Sequence, residues 1–383
     1  MRIVLVGAGM MARAVGSDLV RQPDVERLTL LDRSQQQLQS LKKYLGSPKV
    51  RTARADASDV RGMTRLLRGH DVCVSCVPYM FNLGLTRAAV NARSHFCDLG
   101  GNNDVVAAQF ALGTRARKAG VAVVPDCGLA PGLVSILARD GFDRLDRCDG
   151  IHIRVGGLPR QPKPPLDYAI VFSANGLINE YSEPCLVLRN GRPHTRPPLD
   201  DVEALRFPKP FGRLEAFNTS GGSSTLPGTF RGKVKDLDYK TIRYPGHCER
   251  FRLLFDLGLC SNEPVEVDGK KTVPRRLLIR QLEETLGFET DDVVLLRVDA
   301  VGKRKRKRYR VRYQLVDYAD RRTGLTAMMR CTGFPAAVVA LMLGRGQAAA
   351  TGCLPGEKTL PPGRFIRELR QRGIGLTVRT RTN

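Results

Sequence analysis

The sequence predicts an α/β protein in which a doubly wound parallel sheet is joined to an α+β domain containing an antiparallel sheet. Three observations carry that expectation. Short apolar runs alternate with helical patterns from residue 2 to about 125. A glycine-rich turn separates the first run from the first helix, and after Gly132 longer alternating strands and proline breaks take over. Repeated strand–helix alternation means βαβ units, which cover a parallel sheet on both faces.

Taken in order, "RIVLV" precedes a helix from Met10 to Val20, and "LTLLD" precedes one from Gln35 to Leu45. "KVRTARAD" leads to a short helix ending at Leu67, "DVCVSCV" to one over Asn82–Ala92, and "HFCDLG" to one over Val105–Ala119. "VAVVPD" closes the series. Beyond it, "PRQPKPP" (159–165) and "RPHTRPP" (192–198) are expected to break regular structure, and "ERFRLLFDLGL" reads as a strand. The runs on either side of "GKRKRKRYR" read as a hairpin with a solvated tip, and "FPAAVVALMLGRG" as an apolar helix with a glycine stop. The expected organisation is a dinucleotide domain over 1–130, a substrate and dimerisation domain inserted over 131–330, and a return over 331–383 that packs on the first domain.

With 42% hydrophobic and 26% charged residues among 383, the chain has the composition of a soluble globular protein with a sizeable core. The apolar stretch "AAVVALML" is too short to span a bilayer, so no membrane partner is expected. "MRIVLVGAGMMA" resembles a secretory signal in its order of residues, but its glycine spacing has a better explanation, so no targeting segment is expected. Ten cysteines are scattered singly, and only Cys73 and Cys76 have CxxC spacing, inside a run that reads as a buried strand. No metal site is expected, and a reducing, cytoplasmic compartment fits. The formal charge of +24 raises nucleic acid as a partner. The excess is spread along the chain and its one dense run is the hairpin tip, so no nucleic-acid partner is expected.

"VGAGMMA" places Gly7, Gly9 and Ala12 at GxGxxA spacing after the first strand, with Met10 and Met11 opening the helix. Gly7 permits the tight turn, Gly9 lets backbone approach a pyrophosphate, and Ala12 permits close helix–strand packing. Twenty residues on, Asp32 ends the second strand, placed to accept hydrogen bonds from a ribose and to repel a 2′-phosphate. This is the dinucleotide fingerprint of a Rossmann domain, and the acid favours NAD over NADP. Arg33 is the complication, since it can pair with that phosphate. Asp56, in "ADASD", is placed to meet the adenine. Ligands of such sheets lie outside the carboxyl ends of the strands. There "CVPYMFN" supplies Val77, Pro78 and Tyr79, "CDLGGNN" supplies Leu99, Gly100 and Gly101, and "VPDCGLAPG" supplies Asp126.

In order along the chain, "VPYMFN", "DLGG", "PDCGLAPG", "VGGLP", "TSGGSSTL" and "KTIRYPGH" resemble the saccharopine dehydrogenase-like family over nearly the full length. Within it the resemblance is closest to the lysine 6-dehydrogenase branch. Saccharopine reductases typically carry an acid in the segment written here "GLAPG", where this chain has Ala130. The resemblance implies NAD-linked oxidation of the ε-amine of L-lysine to 2-aminoadipate 6-semialdehyde, which cyclises, with release of ammonia and NADH. It also implies a homodimer or larger homo-oligomer. "TSGGSSTL" then offers Ser220, Gly221, Gly222 and Ser223 to the substrate. Arg243, in "TIRYPGH", is the choice for the carboxylate, and Glu215 for the α-amino group. The proton transfers need a positioned acid–base group, for which Asp126, Tyr79 and His247 are the candidates. Two alternatives stay open: a C–N oxidoreductase of the saccharopine or carboxynorspermidine type, and a nucleotide-sensing Rossmann protein that binds nucleic acid.

Overall fold

In the computed structural model, residues 1–287 and 291–382 are described, and they form two compact units. The first comprises Met1–Asp146, Ser224–Leu226 and Met329–Leu376; the second comprises Arg147–Ser223, Pro227–Met328 and Thr377–Asn383. Both boundaries differ from the expected 130/131 and 330/331. The helix Leu133–Asp143 stays with the first unit because it packs against the helices Gly356–Thr359 and Pro362–Gln371. The strand Thr377–Thr382 does not join the return but hydrogen-bonds to Lys307–Tyr318 in the second unit.

The first unit is built on a seven-stranded parallel sheet. Its strands lie in the order Gly352–Cys353, Ala122–Val124, His95–Asp98, Val72–Ser75, Arg2–Val6, Arg27–Asp32, Val50–Arg54. From Arg2–Val6 the chain winds first to one side and later to the other. The switch point therefore falls between Arg2–Val6 and Val72–Ser75, where doubly wound sheets bind ligands. The helices Gln35–Leu45 and Asn82–Ala92 match expectation, and the first runs one residue further, over Met10–Arg21. The helix expected over Val105–Ala119 is two pieces, Asn103–Phe110 and Gly113–Lys118. Asn102 sets the earlier start by accepting from the backbone N–H groups of Asp104 and Val105. Cys73 lies wholly within the core, next to Val4, Val6 and Phe96, as a small hydrophobe. The helix Ala327–Gly344 is long and apolar enough to cross a membrane, but 78% of it is buried.

The second unit carries a nine-stranded sheet that is mixed rather than purely antiparallel, because Asp236–Arg243 runs parallel to Arg147–Pro159. Two segments depart from expectation. "RPHTRPP" contributes an exposed edge strand, Arg192–Arg196, in which Pro193 pairs with Leu188; an edge tolerates a residue without an N–H. "ERFRLLFDLGL" is not a strand but most of the helix His247–Asp256. The local alternation of arginine and apolar residues imitates period two. Burial follows helical spacing instead, with His247, Cys248 and Phe251 inside.

Candidate functional site

The dinucleotide fingerprint is built as its spacing demands. Gly7 sits at φ 96°, and a Cβ there would meet the Cys76 carbonyl oxygen at 2.9 Å, so only glycine fits the turn. Gly9 is the N-cap of Met10–Arg21 but offers no side-chain cap, and the space its Cβ would occupy is open. The first N–H groups of that helix are thus left for an anion, and Met10, 49% exposed, flanks the opening. Asp32 does more than face a ribose: Oδ2 accepts from Ala8 N at 2.8 Å and Oδ1 from Ser34 N at 2.8 Å. It braces the glycine turn from the next strand.

A pocket of about 220 Å³ is lined by Asp32, Arg33, Asp56, Val77 and Pro78, all expected from the sequence. Phe81, Ala55 and Ala57 line it as well and were not singled out. Their signal is weak, since small and aromatic residues in a turn have many uses. Asp56 is partly committed, with Oδ1 accepting from both N and Oγ of Ser58. Arg33 is exposed, and its carbonyl accepts from Arg54 Nε. These residues fit the adenosine end of a pyridine dinucleotide.

The strand ends His95–Asp98 and Ala122–Val124 are joined by a buried carboxylate. Asp98 Oδ1 accepts from Gly100 N at 2.8 Å and Asp126 N at 3.1 Å, while Oδ2 accepts from Gln109 Nε2 at 2.7 Å. Asp126 sits at φ 61°, in the left-handed region that is uncommon for non-glycine residues but which aspartate tolerates better than most. It is 8% exposed, and Ser224 Oγ donates to its Oδ2 at 2.5 Å. Its Oδ1 has no hydrogen-bond partner among the described residues and lies so near Gly100 that a Cβ there would be 2.1 Å away. Burial pushes the Asp126 carboxyl up to about 7; the charges of Asp98 and Glu357 push the same way, and the Ser224 hydrogen bond pulls back. Tyr79 is half-buried and its ring lies over Gly101, so both belong to the same edge. Ser224 was missed: the glycine-rich segment offered several serines, and Ser220 and Ser223 were chosen.

In the second unit Arg243 is 3% exposed. Its Nε donates to Tyr181 Oη at 2.8 Å, Nη1 donates to its own preceding carbonyl, Ile242 O, and its guanidinium lies 4.7 Å from the Tyr168 ring centre. Nη2 makes no hydrogen bond within the described residues, so one arm of the fork remains for a carboxylate. His247 is 1% exposed and committed at both nitrogens. Leu166 O can only accept, so Nδ1 carries the proton, and Nε2 accepts from Tyr181 Oη. Burial, with Arg243 beside it, pushes the imidazole down to about 3. His247 is therefore a neutral brace for Tyr181 and Arg243, which corrects its candidacy as an acid–base group.

Glu215 is corrected as well. Its two oxygens accept from Gly246 N and Cys248 N at 2.8 and 2.7 Å, so its observed role is to cap His247–Asp256 from a neighbouring strand rather than to stand free for an amino group. Ser220 binds inside the unit, N to Glu180 O and Oγ to Glu183 Oε2, while Gly222 packs on the Tyr239 ring. Gly221 sits at φ 81°. Glu180 is the acid that the sequence did not mark: burial raises its carboxyl to about 7, moderated by nearby Arg243. It ends the helix Ala174–Glu180, where "GLINEY" looks like an ordinary amphipathic turn. Among the described residues no cluster suited to a metal is present.

Comparison with known proteins divides the chain near residue 126. The family described as saccharopine dehydrogenase NADP binding domain matches residues 3–124, and the saccharopine dehydrogenase C-terminal domain matches residues 128–374. The saccharopine dehydrogenase [NADP(+), L-glutamate-forming] of Saccharomyces cerevisiae is 23% identical over 70% of this chain, a match spanning only 60% of the yeast sequence. The carboxyaminopropylagmatine dehydrogenase of a Synechocystis species is 22% identical over 97% of this chain and 96% of its own. The solved apo structure of the L-Glu-forming saccharopine dehydrogenase from S. cerevisiae shares the fold, with a TM-score of 0.82 at 20% identity, covering 100% of this chain and 99% of that one.

Proposed function

Because the chain belongs to the saccharopine dehydrogenase family, we propose that it is a pyridine-nucleotide-linked oxidoreductase acting on a carbon–nitrogen bond of an amino-acid substrate. The observation that carries this is Asp126: a buried carboxylate at a strand end of a dinucleotide-binding sheet, ionising near neutrality. A bound nicotinamide supplies hydride exchange with the carbon that bears the nitrogen. Asp126 takes the proton that an ammonium must lose before its carbon can be oxidised, and returns one in the reverse direction. In the second unit, the arm of Arg243 that makes no hydrogen bond among the described residues is suited to a carboxylate, with His247 and Tyr181 holding the guanidinium in place.

At finer resolution we propose oxidation of the ε-amine of L-lysine with NAD, supported by Ala130 and by Asp32 lining the adenosine pocket. A second substrate class, a larger secondary amine carrying a carboxylate, is favoured by the near-full-length match to the carboxyaminopropylagmatine dehydrogenase. One spectrophotometric experiment separates them. Purified protein with lysine and NAD should form NADH at alkaline pH, and Asp32→Ser should shift preference toward NADP by roughly tenfold or more, the scale of one hydrogen bond to a charged group. If lysine is inert while an aldehyde plus an amine or amino acid consumes NADPH or NADH, the secondary-amine class replaces it. If no amine or imine changes the nucleotide's absorbance, the oxidoreductase proposal falls.

A further inference from the structure

Part of the basic excess, diffuse along the sequence, is brought together by strand pairing at one corner of the nine-stranded sheet. Three antiparallel strands meet there: Asp292–Arg304, Lys307–Tyr318 and Thr377–Thr382. Directly opposed residues of antiparallel strands project to the same face, and alternate residues along a strand do too. The registers pair Lys303 with Arg308, Arg310 with Arg381, and Arg312 with Arg379. All six therefore share one face. Like charges directly opposite one another destabilise a sheet, yet three such pairs stand side by side.

Among the described residues, one of the six has an acidic partner. Arg312 makes a two-pronged pair with Asp299 at 2.7 and 2.7 Å. Lys303, Arg308, Arg310, Arg379 and Arg381 have no acidic partner among the described residues, and Arg310 Nε is buried without a hydrogen bond. Lys303, Arg308, Arg379 and Arg381 are exposed. Cations on this face repeat every ~6.7 Å along a strand and ~4.8 Å across strands. That density exceeds what isolated carboxylates on a folded partner could match, but it suits a chain of regularly repeating anions.

We propose that this sheet corner binds the phosphodiester backbone of nucleic acid. Four of the five uncompensated cations are arginines, whose planar fork matches phosphate oxygens. No aromatic residue alternates onto the face between them; Tyr309 lies between Arg308 and Arg310 and so projects the other way. Contacts would be to phosphates rather than stacked bases, and binding would be indifferent to sequence. The surface lies wholly in the second unit and uses none of the residues assigned to the proposed chemistry. The proposal runs against the expectation, drawn from the even spread of charge along the chain, that no nucleic acid is bound.

The test uses the full-length protein and a fluorescein-labelled mixed-sequence duplex DNA of 20 base pairs, with a single-stranded RNA of equal length as a second probe. Anisotropy should show binding to both at 50 mM salt. For the duplex, the slope of log K against log salt should be about −4 to −5, as five phosphate contacts require. Replacing Lys303, Arg308, Arg310, Arg379 and Arg381 together by Gln should weaken duplex binding at least tenfold and flatten that slope, with the thermal midpoint not lowered, since like-charge repulsion is relieved, and dehydrogenase kcat unchanged. The comparison protein carries five exposed cations of the first unit, Lys42, Lys43, Arg117, Lys118 and Arg364, changed to Gln. It should bind nearly as the wild type does. Equal loss in both variants would reduce the effect to overall charge and overturn the proposal. So would absence of binding at 50 mM salt, or polyglutamate competing as well as DNA at equal charge.

Discussion

Asp126 and His247 invite comparison. Each sits in a sequence motif that promised acid–base chemistry, and each is almost fully buried, one in the first unit and one in the second. Burial favours the neutral form of any ionisable group, so it moves an acid up and a base down. The same physical cause brings Asp126 to about 7, where it can exchange protons at ordinary pH, and takes His247 to about 3, where it cannot. Their hydrogen bonds agree. Among the described residues Asp126 keeps one oxygen without a partner, whereas both nitrogens of His247 are spoken for. The imidazole, the usual candidate near neutral pH, is here the brace, and the carboxylate is the group that burial moves toward neutrality.

Substitutions can break this contrast. Asp126→Asn keeps the shape and removes the charge, and should lower kcat by about 10²–10⁴-fold, the usual cost of losing a positioned acid–base group, while nucleotide still quenches or titrates as in the wild type. Arg243→Lys comes next. An ammonium is a single point of donors and lacks the planar fork that reaches Tyr181 from one nitrogen and a carboxylate from another, so KM for a carboxylate-bearing substrate should rise about 10- to 100-fold, the scale of a charged hydrogen bond. A diamine lacking the carboxylate should lose little in this variant, and an equal loss for both substrates would mean the guanidinium is structural.

The smallest activity effect belongs to His247→Gln. It leaves Tyr181 Oη and Leu166 O with altered partners and should cost about 1–3 kcal/mol of stability, with kcat within a few-fold of wild type. Because the folded imidazole is held below its ordinary value, its contribution to stability is present above about 6.5 and is lost as pH falls toward about 3. Urea midpoints at pH 7 and pH 4.5 should therefore converge more in the variant than in the wild type. A kcat loss larger than that of Asp126→Asn would invert the assignment.

Much of the first unit was legible because its signals are local. The turn after Arg2–Val6, the acid closing Arg27–Asp32 and the boundaries of Gln35–Leu45 and Asn82–Ala92 follow from spacing and caps within a few residues. What escaped depends on distant partners. Glu215 looks like any strand acid until Gly246 and Cys248 arrive to be capped, 31 and 33 residues later. Ser224 was indistinguishable from Ser220 and Ser223 until the loop placed it against Asp126, 98 residues away in sequence. The helix His247–Asp256 was misread because its arginines fall at alternate positions, although its buried face repeats at three to four. The cationic corner is another such case: Arg379 and Arg381 join Arg312 and Arg310 only through strand pairing.

The most direct test of the account is the pH dependence of kcat/KM for amine oxidation, measured from pH 5 to pH 9 in wild type and Asp126→Asn. Asp126 acts as base only when ionised, so the wild-type value should rise tenfold per pH unit and level off near pH 7, following the carboxyl that burial and Asp98 hold there. The Asn variant should be slow and lack that limb. A wild-type limb centred near 4, or one that survives intact in Asp126→Asn, would contradict the assignment of Asp126 as the group that moves the substrate's proton.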